Sequence, residues 1–246
     1  MLIRKTMKKV IQRWTISLLT IGLIGKLLLW FPQPVFADKA TYNNYTLYSN
    51  KEVRGDIGKI FDSVTEKVKR CEHYDPNRKH RIFLCEPGTF YNKLMFTENG
   101  SFASNLTFRH NILIFQITDF EKNSVARPDS KTPYYLDQLI AHEVTHTFVR
   151  EDLPFWKKEG YAEYISHYKD NYAASGDLKK NALTLLSSND YFLVNEQGIP
   201  RPLPYFKSRT LVEYLFFVKG LTFEQIKSEQ ITEEKTVEEL KKWVGA

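Results

Sequence analysis

The sequence predicts an α+β fold in which a small mixed β-sheet in the N-terminal part packs on a helical C-terminal part. Two short apolar runs typical of buried strands, residues 80–86 and 111–117, lie in the first half of the chain. Apolar residues with a helical period dominate the second half. The chain has 246 residues, of which 42% are hydrophobic and 26% charged, as in a globular protein of ordinary size.

The first 37 residues differ from the rest of the chain. They contain six Lys or Arg residues, no acidic residue and an apolar run over residues 14–31, and they end with the small-residue pattern of Val35 and Ala37. This pattern predicts a cleaved signal peptide with a mature start at Asp38. The run also approaches the roughly 20 residues that span a bilayer, so an uncleaved membrane anchor is the alternative. In both cases residues 38–246 are expected outside the cytoplasm.

The charge distribution argues against a nucleic-acid partner. The formal net charge is +6, and the six basic residues of the N-terminal segment account for all of it. Residues 38–246 therefore carry 29 basic and 29 acidic side chains, without the excess of positive charge that nucleic-acid binding requires. The sequence makes no prediction of the oligomeric state.

The first half of the chain predicts a helix between extended segments. Five apolar residues recur on one face of a helix over residues 53–71: Ile57, Ile60, Phe61, Val64 and Val68. Pro87 suits the first turn of a second helix. The predicted elements are, in order, an extended lead-in over 38–52, the helix over 53–71, a strand over 80–86, a helix over Pro87–Phe96, a strand over 111–117 and a polar loop over 118–132.

Beyond this loop the sequence predicts only helices. Thr132 is a suitable N-cap and Pro133 a suitable first residue for the first of them. Capping-box patterns accompany the last two helices: Thr222 with Gln225, and Thr236 with Glu239. The later helices are predicted over 154–169, 176–187, 204–219, 222–229 and 233–244. No linker divides residues 38–246, so one domain is expected.

The two cysteines, Cys71 and Cys85, lie in the part of the chain expected to be exported. An oxidising compartment permits a disulfide between them, from the end of a helix to a strand. Two free buried thiols are an equally good interpretation, because a pair of cysteines alone does not decide.

A metal-binding pattern lies on the first helix of the second half. His142 and His146 are four residues apart, so they share one helical face and can converge on one zinc ion. Glu143 points beside the pair, where it can take a proton from a water that the metal activates. A chance match is the alternative. It is disfavoured because the flanking residues are those of a core helix, where unpartnered His and Glu would be costly: Leu139, Ile140, Val144 and Phe148.

A third ligand has to come from another element, and glutamate is the available type. Glu159 and Glu163 lie four apart on the next helix and face the same way. We assign Glu159 to the metal, because it comes first and precedes Gly160, whose missing side chain allows a close approach to the helix of His142. Glu163 is then expected to accept the free N–H of a zinc histidine. Solvated surface carboxylates are the alternative.

These residues resemble a known family. HEVTH followed by PFWKKEGYAEY is similar to the gluzincin metallopeptidases, in particular the small peptidase MA-like group related to the zinc aminopeptidases. The resemblance covers roughly residues 80–230 and implies a zincin-like fold, with the Glu of Glu-Gly, here Glu159, as the third ligand. PYFKSRTLVEYLFF is similar to the family's Tyr-x-Lys-Gly segment, which implies that Tyr205 supports the oxyanion; packing is the alternative role. Ser208 stands where the family usually has Gly.

One family segment is missing, which limits the prediction of substrate. The Gly-x-Met-Glu-Asn segment, whose glutamate holds a substrate's free amine in the aminopeptidases, is absent, and FRHNILIF fills the corresponding strand region. We therefore expect no aminopeptidase specificity, but the edge of this strand could bind a substrate backbone. The four other histidines are interpreted as structural or exposed: His73, His80, His110 and His167.

The sequence thus predicts an extracytoplasmic metallopeptidase with one Zn²⁺ ion, acting on a peptide or protein substrate. His142, His146 and Glu159 hold the metal, Glu143 is the general base and Tyr205 stabilises the oxyanion. Contact with a membrane is expected only through an uncleaved N-terminal segment. The alternative is a non-catalytic, zinc-stabilised binding or assembly module of the same fold in the cell envelope.

Overall fold

The computed structural model is a mixed α+β structure, as predicted. The α-helices for which the structure describes both ends are, in chain order, α1 (Ile57–Val68), α2 (Leu136–His146), α3 (Phe155–Ser166), α4 (Leu178–Ser187), α5 (Leu203–Phe217), α6 (Phe223–Ile226) and α7 (Glu233–Val244). The structure describes residues 14–20, 22–25, 27–28, 31–89, 92–93, 103–106, 110–126, 134–149, 152–167, 176–194 and 200–245.

A five-stranded mixed sheet forms the N-terminal part. Its order is β1-β2-β3-β5-β4, in which β2, β3 and β5 run parallel and the two edge strands pair antiparallel. The strands predicted over 80–86 and 111–117 are confirmed over their first five and four residues, respectively, and end earlier than predicted. The segment 38–52 is not a simple lead-in but forms the β1–β2 hairpin, and β4 was not predicted. The strands are β1 (Asp38–Tyr42), β2 (Tyr45–Ser49), β3 (His80–Leu84), β4 (Ala103–Leu106) and β5 (Asn111–Ile114).

Alternate residues of the central strands belong to two apolar clusters, one on each face of the sheet. On one face Ile82 and Ile112 pack with α1 and α2 in the main core. On the other face Phe83 and Leu113 pack with Phe36. This alternation follows from the two-residue period of a strand. Helix α2, which carries the HEVTH motif, therefore packs directly on one face of the sheet.

Short strands occupy two regions where the prediction was wrong. The polar loop over 118–132 contains part of a small three-stranded sheet, because its residues pair in hairpin fashion around positive-φ Asn123. The helical half contains a two-stranded hairpin just before α5. These strands are β6 (Ile117–Asp119), β7 (Ser124–Ala126), β8 (Tyr134–Tyr135), β9 (Phe192–Val194) and β10 (Pro200–Pro202).

Two predicted helix starts are also corrected. Helix α2 begins at Leu136, after β8 and with Tyr135 at the N-cap, and not near Thr132. Thr132 and Pro133 lie outside the described residues. Residues 87–89 form a turn, so the helix predicted over Pro87–Phe96 does not begin at Pro87; residues 92–93 are helical, and the rest of that range lies outside the described residues.

The capping-box predictions had different outcomes. Thr222 and Gln225 form the predicted box at α6. At α7 the N-cap is Thr232, whose side chain accepts a hydrogen bond from the backbone N–H of Lys235. The box predicted from Thr236 and Glu239 is wrong, because Thr236 is buried one turn into the helix and its hydroxyl donates to the backbone carbonyl of Thr232.

Both cysteines are free, buried thiols. Cys71 belongs to the main core, with its Sγ 3.8 Å from Thr145 Oγ1, whereas Cys85 lies in the cluster on the opposite face of the sheet. Because the sheet separates the two side chains, they form no disulfide here.

The described part of the N-terminal segment is helical over residues 14–20, 22–25 and 27–28, and most of its side chains are exposed. Among the residues that the structure describes, none of the helices combines the length and the apolar character needed to cross a bilayer.

Candidate metal centre

The HEVTH segment forms the last turns of α2, which is covered on nearly all sides. Ile140 and Val144 pack in the main core, and Ala141 is fully buried beside them. Helix α3 lies against α2, so His142 and His146 face α3 one turn apart. The apolar residues that flank the motif thus hold α2 in the core, and the two imidazoles of the motif face α3.

Three potential ligand atoms converge between these helices. His142 Nε2 lies 3.1 Å from His146 Nε2 and 3.1 Å from Glu159 Oε2, and His146 Nε2 lies 3.3 Å from the same oxygen. Zinc bonds of about 2.0–2.1 Å in tetrahedral geometry would separate ligand atoms by roughly 3.3–3.4 Å. The three side chains therefore fit a single zinc ion, and they are the set that the sequence assigned to the metal.

The electrostatics of this cluster favour a positive charge at its centre. Burial is the largest single influence on the pKa of His142 and lowers it, but Glu159 and Glu163 together outweigh burial and raise that pKa to about 10. Burial raises the pKa of Glu159, and the two histidines outweigh it, so the net pKa is lowered. Two buried carboxylates around two imidazoles thus attract a cation, whether protons or a metal ion.

Glu163 lies behind His142, on the side away from the convergent atoms. Its Oε1 is 3.1 Å from His142 Nδ1, a close contact that is not aligned as a full hydrogen bond. Glu163 is buried, and it is not one of the three residues whose ligand atoms converge. This is the place predicted for it, next to the second nitrogen of a ligand histidine.

The two predicted catalytic side chains lie beside the cluster. Glu143 is buried, and burial raises its pKa. The Tyr205 ring centroid is 6.3 Å from that of His142. Burial, followed by the charges of Glu159, Glu163 and Glu143, raises the pKa of Tyr205, which keeps its hydroxyl protonated as a hydrogen-bond donor.

Aromatic residues border the cluster on the Tyr205 side. Phe155, the first residue of α3, meets the Tyr205 ring edge-on at 5.6 Å and is 48% exposed. Tyr191 and Phe192, which are exposed, precede α5 in the β9–β10 hairpin. Exposed aromatic side chains thus lie on the Tyr205 side of the cluster.

Sequence reasoning did not single out Arg201, although it lies next to Glu163. Its guanidinium Nη1 is 3.9 Å from Glu163 Oε1. No motif marks this arginine, because it belongs to a three-residue strand that the sequence pattern does not reveal. Its position four residues before Tyr205 was the only available signal.

A second group of potential ligands, Glu72, His73 and Glu224, lies on the surface. The Lys227 ammonium contacts Glu224 and is 3.3 Å from His73 Nε2, so the protein itself supplies the positive charge there. His73 is exposed, as expected for a histidine outside the metal centre. His80 and His167 are buried, and neither belongs to the three convergent side chains.

Comparison with protein-family models gave no match for this chain. Curated proteins and solved structures likewise gave no significant match. The chemistry of the site is therefore inferred from its own geometry.

Proposed function

We propose that the protein is a zinc-dependent metallopeptidase of the gluzincin type, with a zincin-like fold, that hydrolyses peptide bonds outside the cytoplasm. The observation that carries this proposal is the convergence of His142, His146 and Glu159 to within 3.1–3.3 Å of one another, with Glu143 adjacent on the same helix. These three side chains would hold the ion.

The residues of the site have complementary roles in this chemistry. Zinc, when bound, would act as a Lewis acid that polarises the scissile carbonyl and makes water a better nucleophile. Glu143 takes the proton from the attacking water and passes it to the leaving amine. Its raised pKa suits both transfers. The Tyr205 hydroxyl donates to the oxygen on which negative charge develops.

The sheet offers a place for the substrate backbone. Strand β4 is an edge strand of the five-stranded sheet and lies beside α2. A peptide could add to this edge as a further strand. The sequence had indicated the strand at 111–117 for this contact, but β5 lies between β3 and β4 and has no exposed edge.

The alternative function is a zinc-stabilised binding or assembly module without turnover. A site that only binds metal needs no general base, and the presence of Glu143 in a buried position beside the ligands favours an enzyme. The experiment is hydrolysis of casein by the purified residues 38–246, with and without added zinc, with a Glu143→Gln variant alongside. Zinc-dependent cleavage by the wild-type chain alone supports the peptidase. Zinc binding without cleavage of casein or of a diverse peptide library favours the binding module.

A further inference from the structure

Arg201 is a partly buried cation at the back of the candidate metal centre, with no assigned role in the function described above. Its side chain is 14% exposed, and that of its partner Glu163 is 7% exposed. A carboxylate buried to this degree between helices requires positive partners, because an unpaired charge is costly there. On the metal side the partner is His142, and on the other side it is Arg201.

The guanidinium is held by three contacts from two elements, two from α3 and one from β8. Nη2 lies 2.8 Å from His167 Nε2 at the end of α3, and the guanidinium carbon lies 4.7 Å from the centre of the Tyr134 ring in β8. The third contact is the approach of Nη1 to Glu163. A planar, multiply held arginine is a rigid support, in contrast to a lysine on a flexible stem.

His167 takes a single protonation state in this arrangement. The arginine always donates, so His167 Nε2 is the acceptor and the ring hydrogen is on Nδ1. Nδ1 lies 2.9 Å from the backbone carbonyl oxygen of Glu163, to which it donates. His167 therefore links the Arg201 guanidinium to the α3 backbone at Glu163 and holds the arginine at a set position along the axis of α3.

The same arginine lies at the start of the helix that carries Tyr205. Strand β10 ends at Pro202 and α5 begins at Leu203. The Tyr134 hydroxyl donates to the backbone carbonyl of Pro200 at 2.7 Å, which holds the strand on the same side. The contacts of Arg201 thus join the Glu163–His142 contact to the first turn of α5.

We propose that Arg201 is a positioning residue of the metal centre, which holds Glu163 against His142 Nδ1 and ties the start of the Tyr205 helix to that contact. This inference rests on the proposed function for the presence of a bound metal. It concerns metal affinity and ligand geometry, which are measurable without a substrate.

The test is the zinc affinity of residues 38–246, measured by competition with a chromophoric chelator, together with the visible absorption of the Co²⁺-substituted protein. Arg201→Met is expected to weaken zinc binding by about 10–100-fold, as for other residues that orient a ligand. It should also alter the Co²⁺ absorption bands, which report ligand geometry. Arg201→Lys keeps the charge and is expected to recover part of the lost affinity.

The chain offers a matched control in Lys67. Its side chain is also 14% exposed, and it pairs at 2.6 Å with a buried carboxylate on α2, Asp137, at the end of the helix away from the ligands. Lys67→Met should lower stability but leave zinc affinity and the Co²⁺ absorption close to wild type. Equal losses of zinc affinity in Lys67→Met and Arg201→Met would overturn the proposal, because they would reflect general loosening of the fold.

A double variant tests whether Arg201 acts through Glu163. In a Glu163→Gln background, Arg201→Met is expected to change zinc affinity by less than about twofold, because the contact it supports is already weakened. A full additional loss in that background would overturn the proposal. If the wild-type chain binds zinc but cleaves nothing, the peptidase proposal fails while this test proceeds unchanged. A wild-type chain that binds no zinc would overturn both.

Discussion

Gly160 of α3 lies directly against the backbone carbonyl of Ser208 in α5. A Cβ atom at Gly160 would be 2.3 Å from Ser208 O and 2.6 Å from Val212 Cγ2. The glycine thus lets α3 approach α5, whereas the sequence had attributed this approach to the helix of His142. The contact holds the helix that carries Glu159 beside the helix that carries Tyr205.

Gly160→Ala is expected to destabilise the protein by at least about 1–3 kcal/mol, because the methyl group would displace a backbone rather than a flexible side chain. This expected change in stability has the opposite sign to the effect of helix propensity, which favours Ala over Gly by roughly 1 kcal/mol. Urea denaturation of the zinc-free protein measures the difference. Ser208→Ala is the control: it removes only the hydroxyl that donates to the Pro204 carbonyl within α5, at a cost of about 1 kcal/mol. A Gly160→Ala protein as stable as wild type would contradict the close approach.

Glu143→Gln is expected to retain zinc while hydrolysis falls by about 10²–10⁴-fold. The change keeps the size of the side chain and removes its basicity, and Glu143 is not one of the three convergent ligand residues. Zinc content and casein cleavage are measured on the same preparation. Normal turnover with full zinc content would exclude Glu143 as the general base.

Replacement of the two helix-α3 glutamates should have different effects on the metal. Glu159→Ala removes one of the three convergent atoms and is expected to be purified without stoichiometric zinc. Glu163→Ala removes only the group beside His142 Nδ1 and is expected to retain zinc at about 10–100-fold lower affinity. Metal analysis of both purified variants compares them directly. The reverse pattern would show that the ligand assignment is inverted.

Tyr205→Phe is expected to reduce kcat by about 10²–10³-fold with little change in zinc content, as for loss of an oxyanion donor. The ring keeps its packing against Phe155, so only the hydroxyl is tested. Tyr191→Phe is a matched control, because Tyr191 is near Tyr205 but 64% exposed. Equal activity in Tyr205→Phe and wild type would assign Tyr205 to packing.

The main helices and the convergence of the three candidate ligands could be predicted from the sequence because their signals are local. The five apolar residues of α1 recur with a helical period and are buried or partly buried as expected. His142 and His146 need only one helix to bring them together. Glu159 could be matched to them because it is the first glutamate on the next helix.

The parts that could not be predicted depend on contacts distant in sequence. The strands β9 and β10 have three residues each, too few for a period to appear, and they exist because they pair with each other. The partner of Gly160 is 48 positions away, at Ser208. The role of Arg201 depends likewise on Tyr134 and His167, which only the folded chain brings to it.

His80 should make the fold sensitive to acid. It is buried at the start of β3, between the rings of Tyr45 and Phe148, and its Nδ1 has no hydrogen-bond partner among the described residues. Burial, followed by the positive charges of His110 and Arg78, lowers its pKa to about 3, against a slight opposing effect of Asp75. In the unfolded chain the pKa is about 6.5. Between these values only the unfolded chain binds the proton, so this contribution to stability falls as pH falls below 6.5.

The free energy of unfolding of the His80→Phe variant is therefore expected to rise relative to that of the wild type as the pH is lowered. The relative gain should be about 2–3 kcal/mol between pH 7 and pH 4.5, because each pH unit below the unfolded pKa contributes up to about 1.4 kcal/mol. Urea denaturation of both zinc-free proteins at the two pH values measures it. Titration of His142 and the carboxylates is common to both proteins and cancels in the difference. If the stability difference between His80→Phe and wild type is the same at both pH values, then His80 is protonated as readily in the folded protein as in the unfolded chain, and burial does not hold it neutral.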